Sequence, residues 1–472
     1  MRSFNNKELI LKNSNQLTPL GLARLSLFQG CLGCLAVIFA GMLNRIMISE
    51  LAFPAILVGG GLAFEQLVAP SRVLFGNLSD NWPIRERKRT PYIYLGSAAF
   101  CILAVLSIPI IFITEEALAS GSFIAIASSA IGLCTLFALY GLAISMATTP
   151  YLALVIDLTT EKERPKVVGI IWCMLTIGIV VGAIAISITT KGLDGITDPL
   201  LLQPTLQKFM LRVSLIIFTI SIFSCLGIEP KSNKFKSKER KQRQEIGLKP
   251  AWNLIRSSNQ IFIFFSFLIL YTLGLFLQDP ILESFGAEVF NLPISKTTLL
   301  NAYWGIGTLI GLLIAGLWIT PRIGKFKAAK IGCWMITTSL ILIIISGYTK
   351  DENLLFGVLL IFGLAAGIAT NSALSLMLDL TLPEVAGTFV GVWGLAQALS
   401  RAMGKLLGGG LLDIGRVISG PNNPLLAFSF VFSLEIIITI IAVLILNNVS
   451  VNKFKQETSA KMEDILMAEL DN

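Results

Sequence analysis

The side chains able to do chemistry in this sequence are few, and most stand inside long apolar runs. Glu65 sits in the middle of one run beside Gln66, and Asn44 and Arg45 lie near the end of the run before it. Arg401 and Lys405 are four residues apart, so a helix puts them on one face, with Gln397 a further turn back on that face. Glu435 stands within the last run, and Gln278 with Asp279 closes another. An ionisable group at the depth of a bilayer costs about 3 kcal/mol or more unless it is paired or hydrated. Each of these residues is therefore a candidate for contacting a solute, carrying a proton or pinning two helices. Pairing Glu65 with Arg401, and Glu435 with Lys405, would satisfy four of them; ligand contact and helix-locking ion pairs are equally open. The chain has no histidine, which removes His-based catalysis, His metal ligation and a His proton relay. Cys31 and Cys34 form a CxxC, but no second pair or histidine stands nearby; small buried hydrophobes are the reading, not a metal or redox centre. With no phosphate-binding glycine loop and no paired carboxylates in a polar setting, no enzymatic activity is expected.

The elements that must position these residues follow from composition. Hydrophobic residues make up 54% of the 472, charged residues only 14%, and mean hydropathy is +0.77. A soluble chain carries about 25% charged residues. Lipid is the solvent. The 37 Lys+Arg against 29 Asp+Glu lie in short segments between apolar runs, a pattern of membrane topology and not of nucleic-acid binding. A hydrocarbon core of about 30 Å needs about 20 residues of helix. Runs of that length lie near 24–48, 52–75, 92–113, 123–148, 167–188 and 209–228, then 259–278, 297–320, 328–348, 354–378, 386–410 and 425–447. The run from 123 can continue towards Asp157. The first run, from near Leu25, is too long for a signal-peptide core, so no cleaved leader is expected. Alternate connections, with the two ends, carry 26 Lys+Arg against five in the opposite set, which puts both termini in the cytoplasm. The expected organisation is a cytoplasmic segment 1–23, a six-helix bundle 24–228, a basic linker 229–250, a second six-helix bundle 251–448 and a cytoplasmic tail 449–472. Glu229–Pro250 holds eight Lys and Arg, either as a solvated, topology-setting link or as a contact for acidic lipid or a partner.

The two halves are related. At an offset of 222, residues 147–169 align with 369–391, and nine of 23 positions are identical, including Asp157 with Asp379 and Gly169 with Gly391. Two parallel six-helix repeats joined by a cytoplasmic link describe the all-α major facilitator architecture, in which the halves rock about a central cavity. The segment GNLSDNWPIRERKR (76–89) adds a cytoplasmic gating motif. Gly76 would form a turn and allow close helix approach, and Asp80 would pair with Arg87, Arg89 or a helix terminus. Asp157, Arg164, Gly169, Asp379 and Gly391 complete that motif through the repeat. A basic turn serving only topology is the plainer reading of the same residues.

Several segments in order carry a more specific likeness: LNRIMISEL (43–51), APSRVLFGNLSD (69–80), RKRTPYIYLG (87–96), LQDPILESFGAEVF (277–290) and the glycine-rich run 391–413. Together they resemble the PucC/LhaA family, the bacteriochlorophyll-delivery branch of the major facilitators in phototrophic bacteria. The resemblance implies an assembly factor for light-harvesting complexes that binds or delivers chlorophyll or bacteriochlorophyll. It also implies light-harvesting polypeptides or chlorophyll-synthesis proteins as partners, and residence in a thylakoid or cytoplasmic membrane. The Lys-, Asn-, Ile- and Ser-rich spelling suits an AT-rich genome such as those of some marine cyanobacteria, where the pigment would be chlorophyll. Without histidine, pigment magnesium would need oxygen donors, and Glu65, Gln66 and Asn44 are the first candidates. A proton-coupled transporter of another amphipathic solute, using Glu65 or Glu435, and a chaperone that never binds pigment are the alternatives.

Overall fold

A backbone in lipid must satisfy its polar groups internally, and the chain does so with helices. A computed structural model describes residues 18–84, 86–159, 164–191, 199–229, 259–379, 386–420, 423–450 and 453, with backbone alone at 164–166, 168, 199–200, 378–379 and 386–391. Most of the linker and tail, and the side chains of Arg164 and Asp379, fall outside the described residues, as does the packing around Gly391.

The helices are α1 (Pro19–Glu50), α2 (Ala55–Leu67), α3 (Ser71–Asn81), α4 (Thr90–Ser120), α5 (Phe123–Leu158), α6 (Arg164–Thr189) and α7 (Pro199–Cys225). They continue as α8 (Asn259–Leu277), α9 (Leu282–Phe290), α10 (Ile294–Ile323), α11 (Lys325–Thr349), α12 (Glu352–Asp379), α13 (Ala386–Ser419) and α14 (Pro424–Leu446). Ten of the described helices are long and apolar enough to cross a membrane. The other two expected spans are helical too, but one is broken into α2 and α3, and α13 carries Arg401 and Lys405 in its middle. Two connections differ from the sequence reading. The segment 76–81 is the end of α3 and not a turn, because the break comes earlier, at Val68–Pro70. The connection after α8 contains the helix α9. The α5 helix runs on to Leu158, the longer of the two lengths its sequence allowed.

Local chemistry explains the ends. The Thr18 hydroxyl accepts from the Gly21 amide at 3.1 Å, and Pro19 fills the first helical position of α1, where a missing N–H costs nothing. At the break between α2 and α3, Pro70 has no amide to donate. The backbone tightens into three-residue bonds there: Ala69 to the Gln66 carbonyl at 3.0 Å and Ser71 to the Val68 carbonyl at 2.9 Å. Near its end α1 widens into π-helical turns at Ile38–Leu43 and Ile46–Glu50, with Asn44 and Arg45 between them.

The chain forms two compact units, Met1–Lys236 with Asn291–Ala302, and Ser237–Phe290 with Tyr303–Asn472. Each repeats the same helix pairing. In the first unit α1 packs on α6, α4 on α5, and both α1 and α4 on α7; in the second, α8 packs on α13, α11 on α12, and both α8 and α11 on α14. Glycine makes the closest of these contacts. A Cβ built on Gly96 of α4 would stand 2.6 Å from the Ala147 nitrogen of α5. One on Gly332 of α11 would stand 2.7 Å from the Ala369 nitrogen of α12. Ala147 and Ala369 are aligned by the internal repeat, so the duplication seen in the sequence is a duplication of backbone contacts.

Gly178 of α6 faces the Gly30 backbone of α1 with no room for a Cβ, whereas a Cβ on Gly132 of α5 would meet nothing within 4 Å among the described residues. Gly178→Leu should destabilise the protein by about 2 kcal/mol or more through overpacking, while Gly132→Leu leaves the melting temperature in detergent near the wild-type value. Equal melting of the two variants would contradict the packing described.

Candidate functional site

In the first unit, Arg89 is the hub of the segment that joins α3 to α4. It caps α4 and is almost wholly buried. Its guanidinium spends each of its nitrogens: Nη2 pairs with Asp80 of α3, Nη1 donates to the Ser79 hydroxyl at 2.6 Å, and Nε reaches Asp157 of α5 at 3.2 Å. Asp157 lies in the last turn of α5, where the helix dipole disfavours an acid, so the arginine offsets that repulsion while joining three helices. Arg89 takes Asp80; Arg87 instead exchanges backbone hydrogen bonds with Ile84. Gly76 was expected to permit close approach, but a Cβ there would meet the Thr149 methyl at 3.5 Å, an ordinary contact. Among the described residues, nothing lies within 4 Å of a Cβ on Gly169.

Glu229 completes this cluster. Gly227, at φ +70°, turns the chain after α7, and the Glu229 carboxylate then accepts from the amides of Lys88 at 2.7 Å, Arg89 at 2.9 Å and Thr90 at 2.7 Å. These are the donors that a helix start leaves without partners. Sequence reasoning assigned Glu229 to the linker. The signal for it is an acid just after a span, two residues beyond the chain-reversing Gly227.

Arg45 forms a second buried hub within the first unit. Its Nη2 pairs with Glu50 at 3.0 Å and donates to the Leu292 carbonyl at 3.0 Å, and Nη1 donates to the Thr297 hydroxyl at 2.7 Å. A π-helical turn carries residues five apart on nearly one face, which is how Arg45 meets Glu50. Asn44 is fully buried and its amide donates to the Ala40 carbonyl at 3.1 Å. Glu65 and Gln66 differ from these: both are half-buried at the end of α2, and Gln66 Nε2 donates to Glu65 Oε1 at 3.3 Å. Glycine at 141 on α5 is required here, since a Cβ would strike the Glu65 carbonyl.

In the second unit α13 lies against α8. A Cβ on Gly404 would stand 2.9 Å from the Leu273 carbonyl, and Gly408 faces the Leu277 carbonyl with no room for one. That approach sets Arg401 over the Phe276 ring at 4.8 Å and Lys405 against Asp279 at 3.2 Å. Gln397 is half-buried one turn before. The expected pairing of Glu435 with Lys405 is not what forms. Asp279 holds Lys405, and neither Glu435 oxygen has a hydrogen-bond partner among the described residues. The reason is sequence distance: Asp279 follows α8 directly and reaches the helix that α8 already touches.

Because Arg89 is buried and Asp80 more than half exposed, Arg89→Ala should cost about 3 kcal/mol by stranding carboxylates. Asp80→Asn should cost under about 1 kcal/mol, and Glu229→Gln, which weakens three charge-assisted bonds, about 2 kcal/mol. Thermal unfolding of the three purified variants gives the order, and Asp80→Asn melting lowest would contradict it.

Comparison with known proteins agrees with this architecture. Residues 42–454 match the family described as PUCC protein. Protein PucC of Cereibacter sphaeroides is 30% identical over 89% of this chain and 90% of its own length. A protein named bacteriochlorophyll synthase 44.5 kDa chain, from Rhodobacter capsulatus, is 27% identical over 91% of this chain and 95% of its own. Among solved structures, the nucleoside transporter NupG matches with TM-score 0.68 at 14% identity, covering 91% of this chain and 99% of that one. The fold is that of the major facilitators. The chain is an integral membrane protein and belongs to the PucC family.

Proposed function

We propose that the protein binds chlorophyll, bacteriochlorophyll or a late precursor within the membrane and delivers it to the polypeptides of light-harvesting complexes. The observation that carries this reading is the PucC family match along nearly the whole chain, joined by a relative of matching length whose name ties it to bacteriochlorophyll synthesis. Site chemistry supports it. The chain has no imidazole, and magnesium is a hard ion that takes oxygen donors. Of the three oxygen candidates, Asn44 is the least accessible to a pigment, being fully buried. Glu65 and Gln66 remain, half-exposed beside a break in a spanning segment. Broken helices expose backbone carbonyls at membrane depth, and solute sites in transporters are built on such breaks.

The test is the visible spectrum of the full chain purified from its native membrane. Pigment near one equivalent per chain is expected, and Glu65→Ala with Gln66→Ala should lower it several-fold at unchanged protein yield. A colourless preparation that carries antenna polypeptides would replace this reading with pigment-free chaperoning. A colourless one showing solute-driven proton uptake would replace it with transport of another amphipathic molecule.

A further inference from the structure

Glu435 is fully buried in the middle of α14, and neither of its carboxyl oxygens meets a hydrogen-bond donor among the described residues. Its place relative to α8 is fixed by contacts on either side. The Ser450 amide donates to Gln260 at 2.7 Å, a Cβ on Gly274 would stand 3.3 Å from the Thr439 hydroxyl, and Phe285 packs on Phe432 with ring centroids 5.1 Å apart. The two helices are therefore antiparallel, and the register puts Gln278 at the depth of Glu435. Gln278 is also buried, and its Oε1 also lacks a donor. Two buried acceptors thus stand at one level of the unit, with nothing among the described residues donating to either.

The cations on the elements packed against α14 are committed elsewhere or stand at its ends, and the buried acid Glu283 of α9 lies near the depth of Glu435. Beyond α8, whose Tyr271 hydroxyl lies 2.9 Å from the Thr370 hydroxyl, Asp279 is taken by Lys405. On α9, Glu288 is held by Arg416 at 2.7 Å, and Arg416 also reaches Asp413, while Glu283 is buried in the first turn. On α11, Lys325, Lys327 and Lys330 fall in the opening turns, Cys333 is buried and Tyr348 is exposed at the far end. On α13, Arg401 lies over Phe276. No cation among the described residues pairs with Glu435.

We propose that Glu435 is a proton-binding site internal to the second unit, level with Gln278, which holds its proton at neutral pH and exchanges it with water only when α14 parts from α8. An ionised carboxylate here would be desolvated with neither counter-charge nor donor, the costliest arrangement a buried acid can have. The neutral acid removes the charge and, unlike the carboxylate, supplies a donor that an amide oxygen can accept. The exchange is one proton gained from water or returned to it, with no other reactant. The site stands whether or not the solute is a pigment.

Infrared spectroscopy of the full chain in lipid nanodiscs tests it, with wild type, Glu435→Gln and Glu435→Asp compared at neutral pH. The carbonyl stretch of a protonated carboxylic acid is expected in wild type, slow to shift in heavy water, absent from Glu435→Gln and displaced in Glu435→Asp. Glu435→Gln is near-isosteric; should it fail to fold, the displacement in Glu435→Asp still reports the assignment. A spectrum without such a band, or with one unchanged in the variants, overturns the proposal. So does a band that appears only on removal of sodium, because the acceptors would then hold a cation. Scoring the band with and without bound pigment keeps this result separate from the pigment reading.

Discussion

Backbone-to-backbone contact through small residues is the constraint on which each unit rests. Lipid tails are as apolar as leucine, so burying leucine between helices gains little, and association depends on close packing. The chain meets that condition at Gly30 with Gly178, Gly96 with Ala147, Gly332 with Ala369 and Gly404 with Leu273. These contacts decide which side chains can meet. Lys405 reaches Asp279 because Gly404 and Gly408 let α13 lie on α8; Glu65 keeps its position because Gly141 offers no side chain beneath it.

Charge is then used sparingly and in hubs. Arg89 and Arg45 are both buried, and each spends its planar fork on several partners at once. A guanidinium suits this role because it stays charged and presents donors in fixed directions. A lysine in either place has its three donors on one nitrogen and could not reach partners spread as widely as these. The two hubs differ in kind: Arg89 joins carboxylates from α3 and α5, while Arg45 closes a π-helical end of α1 onto one acid, a hydroxyl and a carbonyl.

Hydrophobic run length made the helices legible, and the repeat around Asp157 made the duplication legible, because both are periodic features that survive without knowledge of contacts. The twofold recurrence of glycine against Ala147 and Ala369 is its physical counterpart. That Asp80 pairs with an arginine of its own segment was readable from residues 76–89, but the choice of Arg89 over Arg87 was not, since it depends on which side of a two-residue backbone pairing each arginine falls. The partners missed were long-range or register-dependent. Glu229 lies some 140 residues from the helix start it holds. Glu50 meets Arg45 only because the helix widens, and a spacing of five is off-face in an ordinary α-helix. Lys405 was matched with the wrong acid because two carboxylates lay on neighbouring helices and composition cannot rank them.

The Glu229 clamp has a mechanical consequence. The basic link between the halves leaves from a residue whose carboxylate is tied to three amides at the head of α4, and one of those amides belongs to the arginine that grips α3 and α5. A shift of Glu229 is thus felt at once by the hub arginine and, through its guanidinium, by α3 and α5.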